Sequence, residues 1–158
     1  MSREIAKQHL EKYGYGDKIL DFEVSSATVA LAAIALGCEE ARIAKTLSFA
    51  IGDGAVLIIT AGDVKIDNRK YKDTFGAKAK MLAFEDVERL IGHAPGGVCP
   101  FGVKAGTPVY LDGSLRRFET VFPAAGESNN AVEMTIPELE RTSEFTAWVD
   151  VTKPIAEA

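Results

Sequence analysis

One stretch of the sequence constrains the fold more than any other: two apolar segments joined by a glycine turn. Residues 46–51 alternate apolar and small side chains, residues 55–60 are almost wholly apolar, and Gly52-Asp53-Gly54 lies between them. This pattern predicts a β-hairpin with one half-buried strand and one fully buried strand. A sheet with a covered face needs a second layer packed against it. The rest of the chain must therefore supply helices or further strands as cover.

The composition fits one domain of ordinary size. The chain has 158 residues, a net charge of −5 and 47% hydrophobic residues, enough for a core without disulfide or metal support. The longest nearly uncharged run, residues 24–38, is about 15 residues long and falls short of the roughly 20 that cross a bilayer. We expect one cytoplasmic domain over residues 1–158 with no membrane partner. Two isolated cysteines predict neither a metal site nor a disulfide.

Helix and strand patterns are intermixed along the chain. Helices are predicted over residues 3–13, 27–36, 39–44, 84–91 and 137–142, and strands beyond the hairpin over residues 79–82, 108–112, 117–123 and 147–151. We expect the second helix to be capped by Ser25 or Ser26 and to be well buried. We expect Lys45 to lie at the end of the third helix. Because no regular βαβ alternation appears, the pattern predicts an α+β fold with a mixed sheet or barrel.

A basic segment interrupts this acidic chain. Between residues 64 and 80, two acidic residues stand against six basic ones: Lys65, Arg69, Lys70, Lys72, Lys78 and Lys80. Clustered positive charge beside an aromatic residue, here Tyr71, can follow a nucleic-acid backbone by neutralising phosphates. The alternative is a solvated surface helix and turn, which charge alone favours.

Residues 92–102 have an unusual density of glycine and proline. They read GHAPGGVCPFG, with four glycines and two prolines directly after a predicted helix. Such a loop exposes backbone N–H groups that can polarise a carbonyl or hold an anion. The alternative is an irregular connection between a helix and a strand. Within the loop, Cys99 as a nucleophile with His93 as its base is a weaker hypothesis, because cysteine is more often a small buried hydrophobe.

Two further features are weak by themselves. Lys45 precedes the apolar hairpin, where it either snorkels from a strand end or directs its ammonium into a cleft. Residues 125–130, AGESNN, form a small polar cluster whose simplest interpretation is a hairpin turn. Each feature needs support from another part of the chain before it indicates a function.

Taken in order, these segments resemble a known family. The stretches 41–47, 65–72, 75–78, 92–102 and 125–126 are similar in order and spacing to the YbaK/ProX family of aminoacyl-tRNA deacylases. That family is related to the editing domain inserted in bacterial prolyl-tRNA synthetases. The resemblance covers roughly residues 25–152. It implies a mixed, barrel-like β-sheet surrounded by helices, and a freestanding domain that hydrolyses mischarged tRNA in trans without a cofactor.

The resemblance also assigns roles to residues. Lys45 matches the lysine that the family needs for deacylation, Gly92, Pro95 and Gly96 match its G-x-x-P-G loop, and Cys99 stands where some relatives carry serine. We expect ester hydrolysis by positioning and electrostatics, with loop amides on the acyl carbonyl and Lys45 near the terminal nucleotide or the developing charge. The expected catalytic residues are Lys45, Gly96, Gly97, Val98 and Cys99, and the expected substrate-binding residues are Gly92, His93, Pro95, Gly102 and Gly126.

The expected partner is an aminoacyl-tRNA, held by the six basic residues above. The resemblance implies tRNA for proline, a small acyl group and a contact with prolyl-tRNA synthetase. A second hydrolytic site is the usual remedy when one methylene gives only about 1–3 kcal/mol of discrimination. Two alternatives stay open: a noncatalytic module that binds RNA or aminoacyl-tRNA, and a cysteine-dependent hydrolase that uses Cys99. Release of the amino acid tests the first, and thiol alkylation tests the second.

Overall fold

The structure, a computed structural model, describes residues 2–22 and 28–155. Its helices are α1 Ser2–Glu11, α2 Val29–Leu36, α3 Asn68–Phe75, α4 Phe84–Ile91 and α5 Ile136–Ser143. Its strands are β1 Leu20–Asp21, β2 Ile43–Ile51, β3 Gly54–Ala61, β4 Val64–Ile66, β5 Val109–Asp112, β6 Thr120–Pro123, β7 Asn130–Ala131, β8 Met134–Thr135, β9 Ala147–Val149 and β10 Thr152–Pro154. None of these helices is long and apolar enough to span a membrane.

A six-stranded mixed sheet, in the order β8-β6-β2-β3-β5-β9, organises the fold. The predicted hairpin is present as the antiparallel pair β2 and β3, in register from Ala44–Ala61 to Ile51–Gly54. Strand β6 joins β2 in parallel, and β5 joins β3 in parallel. Two further ribbons, β1-β7 and β4-β10, complete the strands. The sheet curls into a half-barrel with helices around it, so the predicted α+β fold is confirmed.

Strand β3 lies at the centre of the core. Leu57 and Ile59 pack into a large apolar cluster shared with α1, α4 and α5, while Val56 and Ile58 pack on the opposite face against Tyr71 of α3. Fully burying one such aliphatic side chain contributes roughly 1.5–3 kcal/mol. The almost unbroken apolar sequence of β3 therefore reflects helices on both of its faces, where the hairpin pattern predicted a fully buried strand and a covered face.

Helix α2 differs from its predicted burial. It begins after Thr28, whose hydroxyl accepts a hydrogen bond from the N–H of Leu31, and ends at Gly37 with φ of 68°. The predicted caps Ser25 and Ser26 lie outside the described residues. The prediction of a well-buried helix is wrong, because Ile34 is 77% exposed and Ala33 alone in this helix is buried. An all-apolar sequence indicated burial on every side, whereas the helix covers the fold with one side only.

The prediction of a helix over residues 39–44 is also wrong. The chain makes a single 3-10 turn at Glu40–Arg42, and strand β2 begins at Ile43. The guanidinium of Arg42 donates to the carbonyl of Thr120 on β6 at 3.1 Å, which ties the turn to the neighbouring strand. Lys45 is therefore the third residue of β2, opposite Thr60 of β3, and not a helix terminus. Its backbone is fixed by the sheet.

Candidate active site

Segments that are distant in the chain enclose a cavity of about 240 Å³. It lies where the start of β2, the glycine-rich loop and the segment after β6 approach one another, and one side of α2 covers it. The lining is mainly apolar, with a few polar groups among the described residues: Phe22, Thr28, Val29, Ala32, Leu36, Ile43, Ala44, Lys45, Thr46, Pro95, Gly96, Val98, Phe122, Ala124, Glu127, Ser128, Asn130 and Ala131. A small apolar pocket with few polar groups is typical of a ligand site.

Lys45 is a cationic residue that lines this cavity. Its half-buried Nζ donates a hydrogen bond to the backbone carbonyl of Val64, which fixes the position of the ammonium. Burial lowers the pKa of Lys45 below the ordinary value of 10.5, and the nearby carboxylate of Asp63 opposes this lowering. Asp63 is itself held by Arg117 at 2.6 Å. Since an ammonium has three donors and Val64 takes one, the group can also bind a ligand.

Thr46 places an unpaired hydroxyl beside this lysine in the chain. Its Oγ1 is buried and has no hydrogen-bond partner among the described residues, and the residue lines the cavity. Leaving a buried hydroxyl unpaired costs about 1–3 kcal/mol. A bound ligand or water that pairs with Thr46 would remove this penalty.

The glycine wall, which we define as residues 94–98 together with Gly126, faces the strand across the cavity. Residues 95–97 form a 3-10 turn in which the N–H of Gly97 donates to the carbonyl of Ala94 at 2.8 Å. A Cβ on Gly97 would collide with the backbone of Gly126, and a Cβ on Gly126 would collide with the backbone of Ser2. A Cβ on Gly96, by contrast, would meet nothing within 4 Å. The wall is therefore packed backbone against backbone.

The backbone amides of the loop do not share one environment. Gly96 and Val98 line the cavity. The N–H of Gly97 already donates to Ala94, and Cys99 is fully buried behind the wall. Of the four residues whose amides are expected to polarise a carbonyl, Gly96 and Val98 are the two that line the cavity.

Cys99 and His93 lie together outside the cavity lining. Both are completely buried, with Sγ 3.5 Å from Nε2. The same Nε2 lies 2.6 Å from the carbonyl of Phe101, an arrangement in which Nε2 carries the hydrogen and so cannot accept the thiol proton. Burial raises the pKa of Cys99 to about 12 and lowers the pKa of His93. A neutral thiol beside a neutral imidazole favours a structural role, because the thiolate is the nucleophile.

The remaining expected substrate-binding residues divide between the cavity and its supports. Pro95 lines the cavity, and Gly126 lies behind Gly97. Gly92 ends α4 with φ of 97° beside Lys104, and Gly102 packs against Ile5 with φ of 77°. Gly92 and Gly102 are not among the described residues that line the cavity, and they lie at the two ends of the glycine-rich loop. Across residues 2–22 and 28–155, no group of three or more His, Cys, Asp or Glu side chains could hold a metal ion.

The sequence interpretation missed Thr46 and Glu127. Glu127 belongs to the polar stretch that we interpreted as a simple turn, yet it lines the cavity. Asn130 holds this stretch by accepting from the N–H of Ala125 and donating to its carbonyl, both at 3.0 Å. Because Asn130 is buried and bridges its own turn, this stretch is packed into the fold and is not a solvated turn.

The basic segment begins at Val64, the residue whose backbone carbonyl binds the Lys45 ammonium. The carbonyl that holds Lys45 belongs to Val64, and the next residue, Lys65, is exposed and paired in register with Lys153 of β10. Asp67 then caps α3 by accepting from the N–H groups of Arg69 and Lys70. The exposed cations of the segment are Lys65, Arg69, Lys72, Lys78 and Lys80.

Two residues of this segment are already engaged within the fold. The ammonium of Lys70 donates to Asp150 at 3.0 Å and to the carbonyl of Thr152 at 2.9 Å. Tyr71 is fully buried, with its ring centroid 5.1 Å from that of Phe49. The interpretation of Tyr71 as an aromatic residue beside the phosphates is therefore wrong, because Tyr71 lies on the apolar face of this amphipathic helix and packs into the core.

Comparison with known proteins shows where this architecture occurs. Residues 23–142 match the family described as the aminoacyl-tRNA editing domain. YwhH of Bacillus subtilis (strain 168), described as uncharacterized, is 48% identical over 154 residues, which are 97% of this chain and 98% of that protein. The proline–tRNA ligase of Bacillus pumilus (strain SAFR-032) is 33% identical over 86 residues, 54% of this chain but 15% of the ligase.

A solved structure agrees with the sequence comparisons. A crystal structure described as a candidate trans-editing enzyme for prolyl-tRNA synthetase matches with a TM-score of 0.86 and 30% identity, covering 96% of this chain and 97% of that one. The family match includes all three segments that enclose the cavity, from β2 through the glycine wall to the turn that carries Glu127. The chain belongs to the aminoacyl-tRNA editing domain family.

Proposed function

We propose that this protein is a trans-editing deacylase that hydrolyses the ester of a mischarged small amino acid, with tRNA for proline as the carrier. One observation carries the proposal: Lys45 and two glycine-wall residues, Gly96 and Val98, line the same small, largely apolar cavity. An ester carbonyl develops negative charge as it is attacked, and preorganised N–H donors stabilise that charge. The volume of about 240 Å³ is large enough for an aminoacyl group.

The reaction needs no strong nucleophile from the protein. Water adds to the ester carbonyl carbon, the bond from that carbon to the ribose oxygen breaks, and the ribose oxygen takes up a proton as the amino acid leaves. The N–H groups of Gly96 and Val98 bind the carbonyl oxygen as it becomes negative, and Lys45 holds the terminal nucleotide or adds to this stabilisation. Holding both reactants in place supplies much of the acceleration.

The basic surface gives the acceptor end of tRNA a path to the cavity. Lys65 follows directly after the residue whose carbonyl holds Lys45, and further exposed cations continue along α3. Each phosphate neutralised by such a residue releases counterions and adds affinity. We place the enzyme in the cytoplasm, with charged tRNA for proline as its partner and prolyl-tRNA synthetase as the source of the mischarged substrate.

A panel of aminoacyl-tRNAs tests this proposal. Alanyl, cysteinyl and prolyl esters of tRNA for proline are each followed for release of the amino acid under single-turnover conditions, with spontaneous hydrolysis subtracted. We expect rapid release of a small noncognate acyl group and little release of proline. Saturable tRNA binding with no release of any amino acid would contradict the proposal and favour a noncatalytic binding module.

A cysteine-dependent route is tested in the same assay. Cys99→Ala should retain most of the rate, because the thiol is protonated and buried. Complete loss of hydrolysis in a folded Cys99→Ala protein that still binds tRNA would make the cysteine mechanism the better account.

A further inference from the structure

The cavity carries a negative charge that ester polarisation does not use. Of the described residues that line it, two have charged side chains, Lys45 and Glu127. A carboxylate beside a developing oxyanion would oppose the reaction if it had no other task. A positive group on the ligand would offset this charge.

Glu127 keeps capacity for such a group. Among the described residues, it pairs with Arg3, whose Nε lies 3.5 Å from the carboxylate. Arg3 is already engaged elsewhere, because it donates to both carboxylate oxygens of Asp21 at 3.1 and 2.7 Å. The contact with Glu127 is the longer one, and a carboxylate has about four acceptor positions. The side chain of Glu127 is also 43% exposed, so a ligand can reach it.

The position of Glu127 is tied to the glycine wall. Gly126, the residue before it, is the one whose backbone abuts Gly97 and would clash with any Cβ there. The turn that follows is fixed by Asn130. The carboxylate is therefore attached one residue away from the backbone contact that holds the proposed carbonyl-binding amides. In an aminoacyl ester, the α-ammonium is attached to the carbon next to the carbonyl.

We propose that Glu127 binds the α-ammonium of the aminoacyl group and makes the site selective for esters with a free amino group. This inference rests on the proposed deacylase function. A carboxylate and an ammonium form a charge-assisted hydrogen bond, roughly twice as strong as a neutral one. An N-acylated ester, such as N-acetyl-aminoacyl-tRNA or a peptidyl-tRNA, has no ammonium and adds bulk at the same point. The site therefore discriminates aminoacyl-tRNA from tRNA that carries a blocked amino group.

The test compares one small aminoacyl-tRNA with its N-acetyl derivative in wild-type protein, Glu127→Gln and Glu119→Gln. The glutamine at 127 keeps the size of the side chain and removes its charge, and Glu119 is an exposed control outside the described lining. Single-turnover rates are measured over a range of protein concentrations, which separates the half-saturating concentration from the saturated rate. Circular dichroism confirms that each variant is folded.

We expect wild-type protein to prefer the free amine by about tenfold or more, as one charge-assisted contact predicts. In Glu127→Gln, the half-saturating concentration for the free amine should rise about tenfold, and the half-saturating concentration for the N-acetyl ester should stay unchanged. In Glu119→Gln, both half-saturating concentrations should equal those of wild-type protein. Glu127→Asp should restore part of the preference, since it restores the charge. An unchanged preference in Glu127→Gln would overturn this inference and leave the deacylase intact. Failure of wild-type protein to hydrolyse any aminoacyl-tRNA would overturn both.

Discussion

The two sides of the cavity are built differently. The glycine wall packs backbone against backbone, with Gly97 on Gly126 and Gly126 on Ser2. The strand side is formed by residues of β2, where the ammonium of Lys45 is hydrogen-bonded to Val64 and the hydroxyl of Thr46 is buried without a partner among the described residues. A backbone contact has no room for one added carbon, whereas a side chain on a paired strand can be exchanged without moving the strand. Changes at Gly97 and Gly126 should therefore act on folding, and changes to the strand side on catalysis.

The largest effect is expected for Lys45→Met. Methionine keeps an unbranched apolar stem in the sheet and removes the charge, so the folded state should persist while the single-turnover rate falls by about 10²–10³-fold, the size typical of losing one oxyanion-stabilising group. Thermal unfolding and deacylation are measured on the same samples. Lys65→Met, an exposed neighbour, is the control and should retain its saturated rate. A wild-type rate in Lys45→Met would remove the lysine from the mechanism.

The pH dependence of the rate gives a second test of Lys45. Because burial lowers its pKa, the ammonium loses its proton below pH 10.5, and the enzymatic rate should fall as the pH rises through that lowered value. Lys45→Arg stays charged in this range, so its residual rate should lack the alkaline decline. Spontaneous ester hydrolysis is measured alongside and subtracted. If the rate of wild-type protein and that of Lys45→Arg declined with the same midpoint pH, the decline would belong to a group other than Lys45.

The next largest effect is expected for Gly97→Ala, and it should appear in stability. The added Cβ collides with the backbone of Gly126, and overpacking of this kind costs about 1–3 kcal/mol or more. Gly96→Ala is the matched control, because a Cβ there meets nothing within 4 Å. Urea unfolding of the two variants measures the difference. Equal stability of both would show that the glycine wall is not held by this backbone contact.

Thr46→Val should affect the rate without loss of stability. The variant removes a buried, unpaired hydroxyl at nearly constant shape, so we expect equal or higher stability and a rate about tenfold lower, equivalent to one lost hydrogen bond of roughly 1.4 kcal/mol. Tyr71→Phe removes another buried hydroxyl without a described partner, but away from the cavity lining, and should leave the rate unchanged. If Tyr71→Phe lowered the rate by a similar factor, the loss in Thr46→Val would be a general effect of removing a buried hydroxyl from the core.

The smallest effect is expected at the basic segment, away from both sides of the cavity. Lys72→Ala should weaken tRNA binding and reduce the magnitude of the log–log salt slope by about 0.7–0.9, with no change in the saturated rate. Lys70→Ala should reduce the slope less, because Lys70 already pairs with Asp150. Binding is measured at several salt concentrations. An identical slope in wild-type protein and Lys72→Ala would return this face to an ordinary solvated surface.

The same contrast explains what the sequence could predict. The β2–β3 hairpin and helix α4 follow from local periodicity, and both are found where the pattern placed them. The outward face of α2 was missed because an apolar helix does not reveal which of its sides has a neighbour. Tyr71 was misread because its exposure depends on Phe49, a residue far away in the sequence. The roles of Thr46 and Glu127 depend on the cavity, which no local pattern encodes.

The separation of the cavity segments along the chain has a consequence for how the site is acquired during folding. The hairpin that carries Lys45 and Thr46 closes a short turn, and such local contacts form within microseconds. The parallel pairing of β2 with β6, which brings the Glu127 turn to that hairpin, requires closure of a much longer stretch of chain, and non-local pairing of this kind is slow. Catalytic competence should therefore be a late property of refolding, recovered only after most of the secondary structure has returned.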